Sequence, residues 1–452
     1  MAMQIKRPKG TQDILPSDIM KWRTVEGVVS TVAEQFGFRE IRTPVFEDTG
    51  LYVRSVGDTS DVVTKEMYTV SSKGDATFTL RPEGTAGVVR AMLENGVMNE
   101  GFPQKVYYII PAYRHEKPQA GRYREFHQFG VEMFGTSSPY ADAEIILLAA
   151  SVLDGCGLDN VELHINSIGC PECREKYRQA LRAYFEPHKE ELCGTCNERL
   201  DKNPMRLLDC KSPICKEIAK DAPIILDYLC DDCREHFESL KKILTEYGVS
   251  FIIDPKIVRG LDYYTRTVFE FISNDIGAQG TVCGGGRYDG LVSELGGQAT
   301  PALGFGMGLE RLILTMESAG CEFEPAKTCD LYVLPMGENA QEKAALLCDA
   351  VRQAGYAAEF DLVGRGLKAQ MRYADKIKAK FVCVLGDNEL ETGVAKIKNM
   401  RTGTETETVL TEFMKTFAGL LLDEVFGTEL EEEFGGVIED LPAVNEIPET
   451  NE

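Results

Sequence analysis

Two strand-like runs lie close together within the first third of the chain. They are VYYIIPAYRHE at residues 106–116 and YREFHQFGVEMFG at residues 123–135, with a loop containing Pro-Gln-Ala-Gly between them. Such runs on either side of a short loop are typical of an antiparallel hairpin. More strand-like runs follow, around LHINSIG, IVRGLDYYTRTVFEFI and the residues before GGGRYDG. Because they lie too close in sequence for repeated helical crossovers, we expect a mainly antiparallel sheet in an α+β domain.

The residues before this hairpin also show local patterns. Apolar residues from Ile19 to Phe36 recur every three or four positions, which predicts a helix with one buried face across residues 18–36. The run FREIRTPVFEDTGLYVRSVG is interpreted as a strand that Pro44 interrupts at an edge or a bend. MYTVSSKGDATFTL is interpreted as a hairpin with a turn at Lys-Gly-Asp.

The pattern changes twice further along the chain. Between Cys170 and about Tyr247 it becomes helical, charged and rich in cysteine, which indicates an insertion. From Cys329 onward, short apolar runs (DLYVLP, AAEFDL, FVCVLG and GVAKIKN) alternate with helical patterns (AQEKAALLCDAVRQAG and LKAQMRYADK). That alternation predicts an α/β domain with a largely parallel sheet.

A chain of 452 residues is too long for one hydrophobic core, and 43% hydrophobic residues are enough to build more than one. We expect the α+β domain to comprise residues 1–168 and 249–326, with the cysteine-rich helical insertion at 169–248. The α/β domain is expected at 327–420. The remaining residues, 421–452, are predicted to form an acidic, disordered tail.

The net charge of -23 is unevenly distributed, because residues 423–452 include eleven acidic side chains and no basic one. Solubility is the simplest role for such a tail, and the acidity of the whole does not exclude a nucleic-acid partner. No run of about 18 apolar residues could span a membrane, and no apolar stretch follows MAMQIKRPKG to make a signal peptide. We therefore expect a cytoplasmic protein whose fourteen cysteines are thiols or metal ligands.

A local island of positive charge, RHEKPQAGRYREFHQ, occupies residues 114–128 of this acidic chain. Strand alternation places five residues from the end of this segment and the strand that continues it on one face: Arg124, Phe126, Gln128, Gly130 and Glu132. Gly130 has no side chain, so the pattern predicts room for a ligand between its neighbours. The alternative is a solvated sheet face with paired charges.

Two further segments combine glycine with the start of a helix. In LRPEGTAGVVRAML, a helix capped by Thr85 would present the Glu83 carboxylate beside free backbone N–H groups. In ALGFGMGLERLILTM, glycines precede an amphipathic helix that carries Arg311 near its start, a pattern that suits a phosphate. The alternative for the second segment is tight packing of the helix on the sheet.

Taken together with KGTQDILP, VRGLDYYTRTVFEF and GGGRYDGL, these segments resemble class II aminoacyl-tRNA synthetases, and more narrowly the bacterial histidyl-tRNA synthetases, over roughly residues 1–420. The resemblance implies a catalytic α+β domain followed by an anticodon-binding domain. It implies that ATP, bound with Mg²⁺, reacts with histidine to give histidyl-adenylate, and that histidine then passes to the 3′ end of its tRNA. A homodimer is also implied, with the Pro44 region similar to the dimer-forming motif.

The resemblance implies roles for individual residues. Arg114 would bind the α-phosphate and Arg311 the terminal phosphates, while Arg259 would stabilise charge at the α-phosphate, so that Arg259 and Arg114 are catalytic. Histidine would be bound by Glu83, Gly84, Thr85, Arg114, Gln128, Glu132, Arg259, Tyr263, Tyr264 and Tyr288. Glu132 and Tyr264 match the positions that recognise the ring. Each tyrosine could instead be an ordinary half-buried strand aromatic.

Positions nearer to the nucleic acid are less specific. Glu116 is expected at the adenine of ATP, and Arg122 and Arg124 near the tRNA acceptor end. In the C-terminal domain, Lys368, Arg372 and Lys376 would form one stripe on a helix whose residues Leu367, Met371 and Ala374 face inward. The stripe is either a solvated face or, as the family's use of this domain implies, an RNA contact.

Eight cysteines of the insertion occur in four pairs: Cys170 and Cys173, Cys193 and Cys196, Cys210 and Cys215, and Cys230 and Cys233. Closely spaced pairs are typical of tetrahedral Zn²⁺ sites, so four pairs could hold two structural ions. Free thiols are the alternative. Here the chain departs from the family, because many histidyl enzymes have an insertion without these cysteines.

Two other functions share this resemblance. A regulatory paralogue that partners ATP phosphoribosyltransferase has the same catalytic-like fold, but it typically lacks the anticodon domain and key motif residues. A synthetase-like module that senses uncharged tRNA would have degenerate active-site arginines. This chain has Arg259, Arg311 and the C-terminal domain, which favours the ligase.

Overall fold

The computed structural model describes residues 5–57, 60, 62–71, 77–259, 261–274, 280–326 and 328–426. The chain divides into two units, Met1–Glu324 and Pro325–Glu452. The Lys-Gly-Asp turn and residues 427–452 of the predicted tail lie outside the described residues.

The first unit contains two sheets. Its strands are β1 (Arg39–Glu40), β2 (Phe46–Asp48), β3 (Tyr68–Ser71), β4 (Thr77–Leu80), β5 (Gln104–Tyr113), β6 (Glu125–Phe134), β7 (Val161–Ser167), β8 (Ile252–Ile253), β9 (Thr265–Ser273), β10 (Thr281–Arg287) and β11 (Ala302–Gly308). The larger sheet has the order β1-β5-β6-β11-β10-β9-β7-β8, and only its two end pairings among the described strands are parallel. The predicted antiparallel α+β fold is confirmed.

The α-helices of this unit are α1 (Ile19–Gln35), α2 (Thr49–Val56), α3 (Thr85–Glu94), α4 (Pro139–Gly155), α5 (Pro171–Phe185), α6 (Gly194–Lys202), α7 (Pro213–Ile218), α8 (Asp231–Glu246), α9 (Leu291–Glu294) and α10 (Leu309–Ala319). The predicted first helix is confirmed, with Trp22, Val25 and Val29 buried. The predicted helical character of the insertion is also confirmed by α5 to α8.

Strand alternation divides the large sheet between two environments. Tyr107 on β5 and Phe129 on β6 belong to the apolar cluster that α1, α4 and α10 cover. The next residue of β5, Tyr108, belongs to a second cluster on the opposite face, which includes α3 and the insertion. Because successive strand side chains point to opposite faces, one face is closed by helices while the other borders the site described below.

One predicted strand is partly a helix. The segment after Pro44 forms only the short strand β2 before it turns into α2. Asp48 Oδ1 accepts a hydrogen bond from the Gly50 backbone N–H at 2.7 Å, which satisfies a free donor at the start of this helix. The apolar spacing of LYVRSV suits either structure, so the aspartate cap decides the local structure.

The second unit has strands β12 (Leu331–Pro335), β13 (Ala358–Phe360), β14 (Phe381–Leu385), β15 (Val394–Asn399) and β16 (Glu405–Val409), with helices α11 (Glu338–Gln353), α12 (Leu367–Lys376), α13 (Asp387–Thr392) and α14 (Phe413–Phe426). The sheet order is β13-β12-β14-β15-β16. Its first two pairings are parallel and its last two are antiparallel, so the prediction of a largely parallel sheet was half right. Helix α14 also includes the first six residues of the predicted tail, 421–426.

Within the described ranges, no helix is both long enough and apolar enough to cross a lipid bilayer.

Candidate active site

A cavity of about 480 Å³ lies in the first unit, on the face of the large sheet that carries Tyr108. Strands β6, β9, β10 and β11 contribute to its floor, and the segments around Glu83, Arg114 and Arg259 contribute to its walls. Ten of the residues that the sequence predicted as site residues line it: Glu83, Thr85, Arg114, Glu116, Arg122, Gln128, Arg259, Tyr263, Tyr264 and Arg311. Distant parts of the chain therefore meet at one place.

Three guanidinium groups share this cavity, and each is held by a neighbour. Arg114 Nε donates to the Pro82 carbonyl at 2.8 Å. Arg311 donates from Nε to the Gly121 carbonyl at 3.1 Å and from Nη1 to the Thr281 carbonyl at 2.7 Å. Arg259 forms an ion pair with Glu270. Arg114 Nη1 also lies 3.9 Å from Glu116 Oε1, so the arginines share the cavity with carboxylates that hold them in place.

Burial and neighbouring charges shift the pKa values of the three arginines in different directions. Burial, followed by the positive charges of Arg122 and Arg114, holds the pKa of Arg311 below its ordinary value. Burial also lowers the pKa of Arg114. For Arg259 burial opposes the charge, but the Glu270 carboxylate keeps its pKa above the ordinary value. A polyanion in the cavity would relieve the repulsion among these cations.

The start of α3 differs from the prediction. Glu83, not Thr85, caps this helix, because its carboxylate accepts hydrogen bonds from the backbone N–H groups of Thr85 at 2.6 Å and Ala86 at 2.9 Å. Gly84 is the N-cap residue. The predicted free N–H groups are thus occupied, and the Thr85 hydroxyl is left for another partner.

That partner is Glu132, which is 1% exposed beneath the cavity. Thr85 Oγ1 donates to Glu132 Oε1 at 2.7 Å, the Tyr108 hydroxyl donates to the same oxygen at 3.1 Å, and the Tyr288 hydroxyl donates to Oε2. Burial raises the pKa of Glu132 to about 8, although the hydroxyl donors oppose the shift. Glu132 and Tyr288 therefore lie behind the residues that line the cavity and fix them from below.

The aromatic wall is continuous with this network. The rings of Tyr263 and Tyr264 have centroids 4.7 Å apart, and Tyr263 packs edge-on against Tyr288 at 5.5 Å. The Arg259 guanidinium lies 5.6 Å from the Tyr264 ring centroid, which is within the range of a cation–π contact. All three tyrosines are at least 94% buried, so they are not ordinary half-buried strand aromatics.

The role predicted for Gly130 was wrong. Tyr108 on β5 is its cross-strand partner, and a Cβ atom at Gly130 would overlap the Tyr108 ring. The space is therefore filled by a tyrosine and is not open to a ligand. Glycines of β11 act in the same way, since a Cβ at Gly304 would overlap Glu132 and one at Gly306 would overlap Gln128.

The buried polar atoms at the cavity that lack a hydrogen-bond partner within the described part of the chain include Gln128 Oε1 and Arg259 Nε. A buried polar atom without a partner is costly, and both residues belong to the lining. These atoms are suited to a bound polar molecule.

The remaining predicted residues of the loop lie at the edge of the site. Arg122 forms an ion pair with Glu116, and its Nη2 lies 3.9 Å from Glu66 Oε1. Arg124 is not among the residues that line the cavity, and its Nε donates to the Glu116 carbonyl at 3.1 Å. Glu116 and Arg122 therefore belong to the cavity lining, whereas Arg124 lies outside it.

In the second unit, the basic stripe has the predicted geometry. Lys368, Arg372 and Lys376 lie on α12 and are all exposed. The inward face differs in one position, since Leu367 is 41% exposed while Gln370 is buried. Gln370 Nε2 donates to the Pro335 carbonyl at 3.0 Å, and this bond accounts for the buried amide.

The eight insertion cysteines form two groups of four. Cys170, Cys173, Cys230 and Cys233 make the first group, and Cys193, Cys196, Cys210 and Cys215 make the second. Within each group the sulfur atoms all lie within 4.8 Å of one another. The measured Sγ–Sγ contacts are 3.5 Å for Cys170 with Cys173, 3.9 Å for Cys170 with Cys230 and 3.8 Å for Cys193 with Cys210.

Four charged lining residues were missed by the sequence analysis: Asp209, Lys211, Glu270 and Glu310. Glu270 had a signal, because it interrupts the apolar run TVFEFI within a strand. Asp209 and Lys211 flank Cys210, which was interpreted as a metal ligand. The sequence pattern gave no reason to expect its two neighbours in the catalytic cavity. Only the fold shows that this part of the insertion reaches the cavity.

Comparison with known proteins gives a consistent result. A family model described as histidyl-tRNA synthetase matches residues 10–312, and one described as an anticodon binding domain matches residues 330–420. A histidine–tRNA ligase of Caldanaerobacter subterraneus is 52% identical over 413 residues, covering 91% of this chain and 99% of that protein. A histidine–tRNA ligase of Acetivibrio thermocellus is 53% identical over 405 residues, covering 90% of this chain and 97% of that protein.

A solved structure agrees with these relatives. The apo histidyl-tRNA synthetase of S. aureus matches with a TM-score of 0.79 and 38% identity, covering 92% of this chain and all of that one.

Proposed function

The chain belongs to the histidyl-tRNA synthetase family and has the histidine–tRNA ligase function of its relatives, and from this premise we propose how the cavity carries out that function. ATP and L-histidine bind together in it and form histidyl-adenylate, and the histidyl group then passes to the 3′ end of the cognate tRNA. The observation that carries the proposal is the convergence of Arg114, Arg259 and Arg311 on one cavity.

The arginines act on the triphosphate of ATP. Arg114 and Arg259 bind the α-phosphate, and Arg311 binds the terminal phosphates. As the histidine carboxylate attacks the α-phosphate and pyrophosphate leaves, negative charge grows on the phosphate oxygens, and fixed guanidinium groups stabilise it. The three residues are held by carbonyl oxygens or by Glu270 before substrate arrives, so little reorganisation is needed.

ATP is bound with Mg²⁺, as the family generally requires. Carboxylates of Glu116, Glu270 and Glu310 lie in the cavity wall, and carboxylate oxygens are ligands that Mg²⁺ takes beside substrate phosphates. The ion supplies charge neutralisation at the phosphates when it is bound.

Histidine binds over the tyrosine wall. Tyr264 recognises the imidazole, and Glu132 takes part from beneath the lining through the Thr85 and Tyr288 hydroxyls that it holds. Glu83, Thr85 and Gln128 bind the amino group and backbone, with Gly84, Tyr263 and Tyr288 shaping the pocket. The unpartnered Gln128 Oε1 supports this, since an ammonium group would give it a donor. A site whose buried polar atoms need partners also rejects amino acids that lack them.

The tRNA contacts are Arg122 and Arg124 at the acceptor end and the stripe of Lys368, Arg372 and Lys376 at the anticodon. Exposure of the whole stripe supports the second contact, because Lys and Arg reach phosphates only from an accessible face. We further propose a cytoplasmic homodimer in which the Pro44 region takes part, with residues 1–326 as the interrupted catalytic domain and 327–420 as the anticodon-binding domain.

Each cysteine group fits one structural Zn²⁺. Four sulfurs at about 2.3 Å from a central Zn²⁺ are about 3.8 Å apart in a regular tetrahedron. The measured contacts of 3.5, 3.9 and 3.8 Å lie around that value. Backbone N–H groups also point at the sulfurs, as in the bonds from Cys230 to Cys173 Sγ at 3.1 Å and from Cys193 to Cys215 Sγ at 3.3 Å.

The regulatory paralogue and the tRNA-sensing module are not favoured. The chain covers 97–99% of ligases that are about half identical to it, including their anticodon-binding domain. The deciding experiment is ATP–pyrophosphate exchange with each of the twenty amino acids. We expect exchange with histidine alone, and exchange with none or with another amino acid would reject the proposal.

A further inference from the structure

One surface of the second unit carries an excess of positive charge. Between residues 365 and 380 the sequence contains six basic side chains and a single acidic one, Asp375. Arg365 pairs with Asp361 at 2.6 Å, and Lys380 pairs with Asp330 at 2.8 Å. The other four basic side chains are exposed and form no ion pair with any residue that the structure describes. These four, called the basic face below, are Lys368, Arg372, Lys376 and Lys378.

An acidic segment of the same chain follows this unit's last helix. Residues 427–452, called the acidic segment below, contain nine acidic side chains and no basic one. Four of the nine occur within its first seven residues: Glu429, Glu431, Glu432 and Glu433. The family model of the anticodon-binding domain ends at residue 420, so the acidic segment is additional to the part of the chain that this model matches.

The described chain ends close to the basic face. Glu424, in the last turn of α14, lies with its Oε1 atom 3.5 Å from Arg401 Nε. The residue before this arginine, Met400, donates its backbone N–H to the Lys380 carbonyl at 2.8 Å and packs against the apolar cluster that α12 covers. One turn of the chain therefore contacts both the end of α14 and the segment that follows α12. The acidic segment begins at this end of the domain, where an acidic side chain already pairs with a basic one.

Reach does not limit a contact between the acidic segment and the basic face. A chain of this length can span about 85 Å at full extension, whereas α12 is about 15 Å long. A tether also keeps the acidic segment at an effective concentration on the order of millimolar. Exposed charge pairs are worth less than about 1 kcal/mol each, but several of them act together in a tethered contact.

We propose that the acidic segment binds the basic face of its own domain and competes there with the tRNA for the same cations. The proposal rests on the tRNA contact proposed above for α12. Carboxylates and backbone phosphates are both anions that lysine and arginine bind, and neither contact depends on nucleotide sequence. The competition lowers the affinity of this face for every RNA, so only an RNA with further contacts elsewhere on the enzyme stays bound.

Neutralising the acidic segment tests the competition. In the full chain, Glu429, Glu431, Glu432 and Glu433 are each replaced by glutamine, and the KM for tRNA is measured in aminoacylation. We expect this KM to fall about three- to tenfold at about 50 mM salt, and the difference to disappear at about 0.5 M salt, where exposed charges are screened. ATP–pyrophosphate exchange uses no tRNA and should remain the same. An unchanged KM for tRNA at low salt overturns the proposal.

A matched control removes four exposed carboxylates elsewhere in the same domain. Glu338, Glu342 and Asp349 on α11 and Glu412 before α14 are replaced by their amides. The net charge of the chain changes by the same amount, so the KM for tRNA should stay near that of the unmodified protein. A fall as large as that of the first variant would mean that overall charge acts on the tRNA, and the proposal would be wrong.

Combining the variants shows where the acidic segment acts. In a chain with Lys368→Ala, Arg372→Ala and Lys376→Ala, neutralising the acidic segment should have little effect on the KM for tRNA, because the two changes remove the same contact. A full effect in this background would place the contact elsewhere and overturn the proposal.

The contact itself can be detected without tRNA. A carbodiimide joins a carboxylate to an amine that touches it, so the unmodified protein should form amide cross-links between the acidic segment and Lys368, Lys376 or Lys378, identified by mass spectrometry. High salt should suppress them, and so should an excess of tRNA. Cross-links to other lysines only, or none, would contradict the contact. Failure of the ligase function would appear separately, as absence of histidine-dependent exchange in the unmodified protein.

Discussion

Arg259 and Glu270 form an ion pair in the wall of the catalytic cavity, and the side chain of each is only 19% exposed. Thr281 Oγ1 donates to the second oxygen of Glu270 at 2.9 Å, so the carboxylate is itself held in place. Glu270 is therefore a positioning residue for the arginine that is proposed to act on the α-phosphate. The sequence motif contained both residues but did not show that they pair.

Arg259→Gln should lower the rate of histidine-dependent exchange about 100-fold, because it removes a fixed donor from the transition state. Glu270→Gln should have a smaller effect, about tenfold, since it leaves the guanidinium present but less well oriented. The measurement is kcat for exchange at saturating ATP and histidine. Arg23→Gln, an exposed position on α1, serves as the control and should leave kcat unchanged. Near-normal exchange by Arg259→Gln would contradict the assigned role.

Glu132 should make the stability of the free protein depend on pH. Its pKa is raised from an ordinary value near 4.5 to about 8, so the folded protein binds a proton that the unfolded chain has released. This contribution to stability is fully present below about pH 4.5 and is lost as the pH rises toward 8. Between pH 5.5 and pH 8 the loss is about 3 kcal/mol from this group.

Thermal unfolding of Glu132→Gln tests that relation. The variant cannot ionise, so its unfolding midpoint should fall less between pH 5.5 and pH 8 than that of the unmodified protein. Glu144→Gln provides a comparison at a partly exposed carboxylate that pairs with Lys105. Equal pH profiles for the unmodified protein and Glu132→Gln would show that Glu132 is ionised in the folded state.

Local patterns predicted the elements that bury an apolar face. The helix over Ile19–Gln35 and the hairpin of β5 and β6 followed from spacing alone. The helix Thr49–Val56 did not, because its apolar spacing is short and a single hydrogen bond from Gly50 to Asp48 fixes its start. Apolar spacing therefore predicts a short segment poorly when a hydrogen bond at the end of a helix determines whether the helix forms.

The candidate site was likewise predictable only in part. Motifs identified the arginines and tyrosines, but the contacts beneath them depend on strand register, which places Tyr108 opposite Gly130. The grouping of the cysteines depends on the packing of α5 against the segments around it, and four pairs can combine in several ways. Such long-range relations are set by the whole fold, so spacing along the chain could not give them.

Gly130→Ala should impair histidine binding more than ATP binding. A Cβ at this position would overlap the Tyr108 ring, and Tyr108 donates to Glu132 behind the histidine pocket. Displacing the ring costs about 1–3 kcal/mol, which corresponds to a rise of about five- to 150-fold in the KM for histidine. Gly27→Ala on α1 is the control, since its Cβ would meet no atom within 4 Å. Equal increases of both KM values in Gly130→Ala would contradict the pocket assignment.

The α12 stripe should contribute to tRNA binding but not to adenylate formation. Replacing Lys368, Arg372 and Lys376 by alanine removes three exposed cations, so the KM for tRNA should rise about tenfold or more and its salt dependence should weaken. Exchange should remain the same, which also shows that the catalytic unit is intact. Lys415→Ala, at an exposed position on α14, is the control. Unchanged aminoacylation by the triple variant would mean that the stripe is only a solvated face.

Zinc content provides a direct test of the two cysteine groups. Protein purified without added zinc should contain about two Zn²⁺ ions per chain by elemental analysis. Cys170→Ser and Cys193→Ser should each lose about one ion, because each removes a ligand from a different group. Cys321→Ser, outside both groups, should keep both ions.

The two groups should also differ in their effect on function, since only the second contains Cys210, whose neighbours Asp209 and Lys211 line the catalytic cavity. Loss of zinc from Cys193→Ser should therefore lower the rate of histidine-dependent exchange, because it frees a turn that lines the catalytic cavity. Cys170→Ser loses the ion from the group that does not contain this turn, and its defect should appear mainly as a lower unfolding midpoint. Metal-free protein with normal stability and aminoacylation would show that the cysteines are free thiols.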